Sequence, residues 1–502
     1  MLRKQDMTNR DQLVFFSIDE LVPKDHLLRK IDAVMNFDFI YELVSEMYSE
    51  DKGRPSIDPV VLIKLVFIQY LFGIGSMRKT IREVNMNIAY RWFLGYGIKD
   101  EIPHFSTFSK NYARRFKNSN VFEEIFAKIL SEAVEAGFVD PKEVFIDSTH
   151  IKASANKKKT YKEEVVKEAK IYRQLLDEEI EKSRAIHGQK PFKKKQNQET
   201  KLITKSIVDP DCGMFHKGEK ERVLAYSVHA ACDKKGFVLS SIVSAANVHD
   251  SVVFKELYEN VKSKFTEISA VAVDSGYKTP YICKILLDDN VTPVMPYKRP
   301  MTKKGFFKKH DFVYDEYYDC YICPKEEILT YSTTNREGYK EYVSNPQVCL
   351  KCEFLHKCTC SKNNKKVVCR HVWEEYLEEA EHLRHTTYNK SIYALRSQTI
   401  ERVFADLKEK HGLRYTTLRG IDKVRMQTLL AFACLNLKKL ANWKWKNSKN
   451  QLIFSIFLSI KYVFSKLRDK SYARLKICPF GQIVLSTNWN LDNYLSSFFV
   501  VD

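Results

Sequence analysis

Three acidic side chains lie at points where the sequence pattern of a buried element ends or turns polar. Asp147 follows a short β-rich apolar run in "FIDST", Asp274 follows another in "AVDSG", and Glu401 lies in "IERVFADLK". Carboxylate oxygens from separate elements are the hard ligands that Mg²⁺ prefers. Two such ions, about 3.5 to 4 Å apart, activate an attacking oxygen and stabilise the leaving oxygen of a phosphodiester. The acids therefore predict a two-metal site that acts on nucleic acid, with Mn²⁺ as the alternative ion.

The element that carries Glu401 is predicted to be an amphipathic helix. Its apolar stripe is Ile400, Val403, Phe404 and Leu407. This spacing predicts one buried helical face, with Glu401 at its edge and pointing outward, and Gly412 as a left-handed terminator. A lone Glu at such a position is usually an ordinary surface acid, and an Asp after a strand is a common turn residue. Only the combination of the three acids indicates a site.

A fourth acid competes for a place in this site. Two β-rich runs flank the turn-like residues 233–236, which predicts a hairpin, and the second run leads to "NVHD". Asp250 is therefore an alternative to Asp274 as the second acid. His249 and Asp250 either support the site or form a turn that closes the hairpin.

The charge of the chain indicates a polyanionic partner. The sequence has 502 residues, with 82 Lys and Arg against 63 Asp and Glu, for a formal net charge of +19. Such an excess favours nucleic acid over an anionic membrane surface. The longest apolar run, "PVVLIKLVFIQYLFG", is too short and too often interrupted to span a bilayer, so it predicts a buried helix and no membrane partner. The N-terminus lacks the pattern of a secretory signal, so a cytoplasmic, nucleoid-associated protein is expected.

A basic helix is predicted within "HFSTFSKNYARRFKN". Lys110 and Arg114 lie one turn apart on its polar side, and a helix of this kind can enter a DNA groove. The alternative is a basic surface helix with no groove to fill. Both interpretations remain open from the residues alone.

Cysteines cluster between residues 320 and 369. Those of the motifs "CYIC" and "CLKCEFLHKCTC" are Cys320, Cys323, Cys349, Cys352, Cys358 and Cys360. Paired Cys-x-x-Cys spacing favours thiolate ligation of a structural Zn²⁺, although the gap between the pairs is longer than in most zinc ribbons. Reduced thiols without a metal are the alternative.

These motifs resemble those of the DDE transposases of bacterial insertion sequences. The resemblance extends to "GRPSIDPVVLIKL", "ANVHDS" and "HGLRYTTLRG". It implies an α/β fold with an RNase H-like mixed sheet flanked by helices, an all-α N-terminal DNA-binding domain, and insertions. It also implies that Asp147, Asp274 and Glu401 are the catalytic triad. In such a sheet the strand before Asp250 lies two places from that of Asp147, about 10 Å away, which favours Asp274 on the adjacent strand.

The resemblance has further implications for individual residues. It points to Cys323, Cys349, Cys352 and Cys358 as the Zn²⁺ ligands. Family members often carry Tyr, Arg, Glu and Lys at fixed spacing, which Tyr393, Arg396, Glu401 and Lys408 match except that four residues separate Arg396 from Glu401. Lys408 is expected to contact a DNA phosphate. Either the Glu helix begins near Ser397 and Arg396 reaches DNA, or Arg396 has lost that role.

The predicted organisation follows from these segments. It comprises a helical DNA-binding domain at 1–139, a catalytic core at 140–297 with a charged helical insertion at 155–205, a basic Cys-rich insertion at 298–375, the second part of the core at 376–445 with an apolar helix at about 421–441, and a tail at 446–502. The predicted function is binding of double-stranded DNA at transposon ends, strand cleavage and strand transfer to target DNA, by a homodimer assembled on DNA. A nuclease without strand transfer and a domesticated, non-catalytic DNA-binding protein are the alternatives.

Overall fold

A computed structural model describes residues 15–49, 56–166, 172–193, 200–217, 221–299, 302–468, 476–477 and 483–484. The chain divides into two compact units, Met1–Leu440 and Ala441–Asp502. All the residues discussed below as candidates for function belong to the first unit. No helix in the described ranges is both long and apolar enough to cross a membrane.

The N-terminal region folds into helices, as the sequence predicts. These are α1 (Ile18–Leu21), α2 (Leu27–Asp32), α3 (Phe39–Val44), α4 (Pro59–Leu71), α5 (Met77–Met86), α6 (Ile88–Leu94), α7 (Ser106–Asn111) and α8 (Val121–Glu135). Asp58 caps α4 by accepting from the backbone N–H of Val60, and Pro59 occupies its first turn. Most of α4 is buried, which confirms the buried helix expected from its apolar run.

The predicted basic helix is interrupted by a wider turn. Residues Tyr112–Phe116, directly after α7, form a π-helical turn, and the Lys117 N–H donates to the Tyr112 carbonyl at 2.9 Å. Lys110 and Arg114 are both exposed, but they lie on either side of the change from α to π geometry. Single π turns within α-helices occur often at functional sites.

The central sheet contains the strands that precede the acids. Its strands are β1 (Glu143–Lys152), β4 (Gly213–Lys217), β5 (Glu221–Asp233), β6 (Val238–Ala245), β7 (Ala270–Ala272) and β8 (Thr292–Val294), and α10 (Asp250–Lys262) and α11 (Pro280–Asp288) connect the later ones. Strands β6, β5 and β1 are antiparallel neighbours, and β7 and β8 continue the sheet parallel to β1. This order, with α10 and α11 as crossovers, is that of an RNase H-like sheet, so the predicted α/β fold is confirmed. The predicted hairpin is β5–β6.

The charged insertion at 155–205 is only partly helical. It contains β2 (Thr160–Val166), α9 (Arg173–Ile186) and β3 (Thr200–Ser206), and β2 pairs antiparallel with β3. The expectation of a helical insertion is therefore wrong at β2 and β3 and confirmed at α9. Lys- and Glu-rich spacing favours a helix, but cross-strand pairing with β3 overrides that local preference.

The Cys-rich segment forms a small sheet with its own core. Its elements are β9 (Val313–Asp315), β10 (Cys320–Ile322), β11 (Ile328–Thr334), β12 (Tyr339–Val343), α12 (Pro346–Leu350), α13 (Leu355–Cys358) and β13 (Val367–His371). The strand order is β13-β12-β11-β10-β9. Phe312, Tyr321, Leu329, Tyr342 and Val368 form the buried cluster beneath this sheet.

Helices complete the core after the Cys-rich segment. They are α14 (Glu374–Leu383), α15 (Thr387–Ala394), α16 (Ile400–Glu409) and α17 (Ile421–Arg468), and β14 (Lys476–Ile477) and β15 (Ile483–Val484) follow. The buried residues of α16 are the predicted stripe. The expected end of the last helix near residue 441 is wrong, because α17 continues to Arg468 through a stretch without Gly or Pro.

The N-terminal helices pack directly on the segment after α16. The buried His411 ring lies 2.9 Å from the Tyr70 carbonyl through its Nδ1. Gly73 and Gly412 both have positive φ, and a Cβ added to Gly73 would lie 2.7 Å from the Lys410 carbonyl oxygen. The two backbones can cross this closely only because Gly73 has no side chain.

Candidate active site

The sheet brings Asp147 and Asp274 to matching positions on adjacent strands. Phe145 of β1 is paired with Ala272 of β7, and each acid follows its paired residue by two positions. Side chains two apart on a strand share a face, and adjacent strands lie about 4.8 Å apart. The two carboxylates therefore lie side by side, with Asp147 in the middle of β1 and Asp274 just beyond the end of β7. Asp274 is held by the Gly276 N–H, which donates to its Oδ1 at 2.8 Å.

Asp147 is held from two sides. The Arg396 guanidinium donates to its Oδ2 at 2.6 Å, and the Ser148 N–H donates to its Oδ1 at 2.8 Å. Burial raises the pKa of Asp147 to about 6, with Arg396 and the Ser148 N–H acting against that rise and the carboxylates of Asp274 and Asp250 adding to it. The mutual effect of these carboxylates indicates that all three acids lie within a short range of each other.

Asp250 lies closer to the other acids than its place after a strand suggested. Strand β6 ends at Ala245, and Asp250 is the first residue of α10. Burial raises its pKa, the Ser148 hydroxyl that donates to it lowers it, and Asp274 raises it further. The prediction that its strand lies two places from β1 is confirmed, since β5 lies between β6 and β1, but Asp250 itself begins α10 and meets Ser148 from there.

Asp250 approaches the sheet from the face opposite to Asp147. Successive strand residues point to opposite faces, so Ser148, which donates to Asp250, points away from the Asp147 side. His229, paired with Ser148 in the sheet, lies 3.7 Å from the Asp250 carboxylate. Arg396, which precedes α16, contacts Asp147 itself. Helix α16 thus belongs to the Asp147 face and α10 to the Ser148 face.

Sequence reasoning missed a polar cluster behind the acids. The buried Tyr277 has a pKa well above the usual value, because burial and the neighbouring carboxylates of Asp250, Asp147 and Asp274 disfavour its phenolate. Its hydroxyl lies 3.4 Å from the His229 Nδ1. The motif "AVDSGY" contains this tyrosine, but nothing in the pattern indicates that its hydroxyl turns toward the acids.

Glu401 lies on the outer side of α16. Its side chain is exposed, and within the described part of the chain it forms no hydrogen bond or ion pair. Among the described residues, no three His, Cys, Asp or Glu side chains are arranged to hold a metal ion. Asp147 and Asp274 are brought together, whereas Glu401 is not held against them.

The other predicted site residues occupy different positions. His249 caps α10 by accepting from the Ser251 N–H, so it supports the helix that carries Asp250. Arg396 lies in a short 3₁₀ turn before α16, with 6% of its side chain exposed. Burial, assisted by the nearby Lys408 ammonium, lowers the pKa of His150 on β1 to about 4, which places Lys408 beside that strand. Lys110 and Arg114 are exposed.

Four cysteines come close together in the Cys-rich segment. Burial raises the pKa of the Cys358 thiol, the Lys366 ammonium lowers it, and Cys349, Cys323 and Cys352 raise it again. The Lys325 N–H donates to the Cys323 sulfur at 3.3 Å. All four thiols are partly buried and form no disulfide. As stated above, their arrangement is not that of a formed metal site in the described residues.

Two family models match separate parts of the chain. Residues 16–114 match the family described as a transposase domain (DUF772), and residues 322–441 match the transposase DDE domain. Both matches are to transposase domains, which confirms the resemblance to DDE transposases noted in the sequence. Glu401, Arg396, Lys408 and the four cysteines lie inside the second match, whereas Asp147 and Asp274 lie between the two matches.

Solved structures were also compared with the whole chain. No curated protein matches the chain. A solved structure, the piggyBac transposase synaptic complex with hairpin DNA determined by cryo-EM, is similar to it over 83% of this chain and 75% of that chain. The sequence identity is 8% and the TM-score is 0.31.

Proposed function

We infer that this DDE transposase binds the terminal inverted repeats of an insertion sequence, cleaves the DNA strands in a metal-dependent reaction and joins the freed 3′ ends to target DNA. The observation that carries the proposal is the side-by-side placement of Asp147 and Asp274, with α16 on the Asp147 face. Glu401 completes the triad from this helix. Asp250, on the opposite face, supports the site through Ser148.

The donor set fits Mg²⁺, with Mn²⁺ as the alternative. Asp147, Asp274 and Glu401 offer hard carboxylate oxygens from a strand, the end of a strand and a helix. Two such ions supply activation of the attacking oxygen and stabilisation of the leaving oxygen. The crowding of Asp147 by two other carboxylates supports cation binding here, since a divalent ion relieves that repulsion. Strand positions also hold their side chains more rigidly than loops do.

We assign the DNA contacts to four basic side chains, one of which must first leave its ion pair. Lys110 and Arg114 bind the transposon ends from the exposed side of the basic helix. Lys408, seven residues after Glu401, contacts a phosphate near the cleavage position. Arg396 reaches a phosphate only after it releases Asp147, so its role in DNA binding follows the assembly of the metal site.

The cysteine cluster is assigned a structural role. Cys323, Cys349, Cys352 and Cys358 bind one Zn²⁺ when their sulfurs move into tetrahedral geometry. Support comes from the mutual effect of the four thiols and from the Lys325 N–H aimed at the Cys323 sulfur. A closed thiolate site of this kind stabilises a small sheet whose apolar core is limited.

The test is an assay with labelled terminal DNA from the element and an unlabelled target plasmid. A transposase, acting as a homodimer that holds both ends, produces joined molecules in the presence of Mg²⁺. A nuclease without strand transfer produces cut ends and no joined molecules. A domesticated binding protein retains the terminal DNA without cutting it. Either of the last two results contradicts the proposal.

A further inference from the structure

A cavity separate from the acids lies between the N-terminal helices and the segment that joins α16 to α17. Its volume is about 590 Å³, within the range of pockets that hold small ligands. Its walls include parts of α4 and α7, the π turn, and residues that follow α16. None of the three proposed triad residues lines it.

The lining combines aromatic rings with positive charge. Phe108, Tyr112 and Tyr415 contribute rings, and 62% of Tyr415 is exposed. Lys117 and Lys423 are exposed, and within the described residues neither forms an ion pair. The described residues that line the cavity include no Asp or Glu. Apolar rings beside unpaired cations suit a ligand that carries both a flat base and a phosphate.

Backbone contacts shape two sides of the cavity. Its floor contains the crossing of Gly73 and Gly412, where the two backbones are in contact. On the other side, the π turn at Tyr112–Phe116 directs Lys117 toward the cavity. A rigid floor and a wall shaped by an irregular helix reduce the entropy lost when a ligand is held.

The cavity is connected to the proposed cleavage centre by strand β1. Beyond Asp147 this strand continues to Lys152, whose N–H donates to the Arg414 carbonyl at 3.4 Å and whose carbonyl accepts from Thr416 at 2.9 Å. Five residues of strand span about 17 Å. That distance corresponds to about five stacked base pairs of DNA. DNA that is held at Asp147 and runs along β1 would reach the cavity within about five base pairs.

We propose that this cavity binds one unpaired nucleotide of the DNA substrate, with the base stacked on Tyr415 and the adjoining phosphates on Lys117 and Lys423. Intact duplex is read by elements that enter its grooves, and it cannot enter a concave cavity of this size. A single base that has left the stack can do so. The inference rests on the proposed function, because it takes DNA held at the acids as the source of the nucleotide.

The experiment compares two labelled oligonucleotides with the purified full chain. One is a duplex of fixed sequence, and the other is the same duplex with one unpaired thymidine. Base stacking on an aromatic ring is worth roughly 1 to 3 kcal/mol, so the bulged duplex is expected to bind about tenfold more tightly. Tyr415→Ala is expected to remove this preference and leave duplex affinity within about twofold. Tyr317→Ala is the matched control, since Tyr317 is 87% exposed in the Cys-rich segment.

Three outcomes overturn the inference: the wild-type chain binds both oligonucleotides equally, it binds neither, or Tyr415→Ala lowers both affinities alike. The joining assay is independent of this comparison. If the chain prefers the bulged duplex but joins no DNA, the proposed function is contradicted and the nucleotide site in the cavity is supported. If the chain joins DNA but shows no preference for the bulged duplex, the nucleotide site is contradicted and the proposed function is supported.

Discussion

The Arg396 guanidinium lies 2.6 Å from the Asp147 carboxylate, although 249 residues separate the two in the chain. Only 6% of the Arg396 side chain and 19% of the Asp147 side chain are exposed. This ion pair ties the turn before the Glu401 helix to the strand of the first acid. The guanidinium of Arg396 neutralises the charge of Asp147. A divalent ion that binds Asp147 must therefore compete with Arg396.

Replacement of Arg396 is expected to make the fold depend on metal. Arg396→Gln leaves the Asp147 carboxylate without its partner, a change that costs about 3 kcal/mol in a buried pair. We expect a lower Tm in metal-free buffer and a larger rise in Tm on addition of millimolar MgCl₂ than for the wild type. Arg402→Gln, at an exposed position on the same helix, is the matched control. An identical response to MgCl₂ in both variants would contradict this role for Arg396.

The two groups of basic residues are expected to affect DNA binding differently. Lys110→Ala with Arg114→Ala should weaken binding to terminal DNA more than to random DNA, because base readout needs a structured element in a groove. The second basic group is Lys303, Lys304, Lys308 and Lys309, near the start of the Cys-rich segment. Replacing these four should weaken binding to both DNAs alike and flatten the salt dependence by up to about 0.9 per lost phosphate contact. Affinities measured at several salt concentrations on both DNAs decide this. Equal losses of affinity for both DNAs in the Lys110 and Arg114 variant would show that these two residues do not recognise the transposon ends.

Metal analysis tests the cysteine cluster. Freshly purified, reduced protein is expected to contain about one Zn²⁺ per chain, since four thiolates form a closed structural site. Cys323→Ser and Cys352→Ser should each lose the zinc. Cys360→Ser should retain it, because Cys360 lies in the same segment but is exposed and outside the proposed set. Protein without zinc, or loss of zinc in the Cys360 variant, would contradict the assignment.

The contact between His411 and Tyr70 predicts a pH-dependent stability. Burial and the nearby Lys438 ammonium lower the pKa of His411 to about 4. The hydrogen bond to Tyr70 and the Asp406 carboxylate act in the opposite direction and are outweighed. The unfolded chain therefore binds more protons between about pH 6.5 and pH 4, so stability falls as the pH falls through that window. The full loss is about 3 kcal/mol. Above about pH 6.5 this contribution is constant.

The measurement is Tm as a function of pH for the wild type and for His411→Gln. The variant should lose less Tm on acidification, because glutamine does not titrate. His310→Gln, at an exposed histidine, should follow the wild type. Parallel curves for the wild type and His411→Gln would show that His411 is not the group responsible.

The sequence predicts those parts of the site whose cause is local. Asp147 and Asp274 follow apolar runs that parallel strands require on both faces, and the stripe of α16 appears in the spacing of Ile400 and Leu407. These patterns depend on residues a few positions apart. The strands and the Glu helix could therefore be located before their contacts were known.

Features that depend on the path of the chain could not be predicted. Asp250 reaches the site because β6 ends five residues earlier and α10 begins at the acid, and no apolar pattern marks that turn. The pairing of Arg396 with Asp147 joins segments with no local relation. The insertion strand β2 is stabilised by β3 across a long separation, against the helical preference of its Lys and Glu residues.

The assignment of Asp147, Asp274 and Glu401 as the triad, with Asp250 outside it, is the central claim, and cleavage of labelled terminal DNA with MgCl₂ tests it most directly. Glu401→Gln, Asp147→Asn and Asp274→Asn are each expected to lower the cleavage rate by roughly 10²-fold or more, a loss of about 2.7 kcal/mol of transition-state stabilisation, with DNA binding retained. Asp250→Asn, on the opposite face of the sheet, is expected to retain measurable cleavage. Near wild-type cleavage by Glu401→Gln, together with loss of cleavage in Asp250→Asn, would contradict the account.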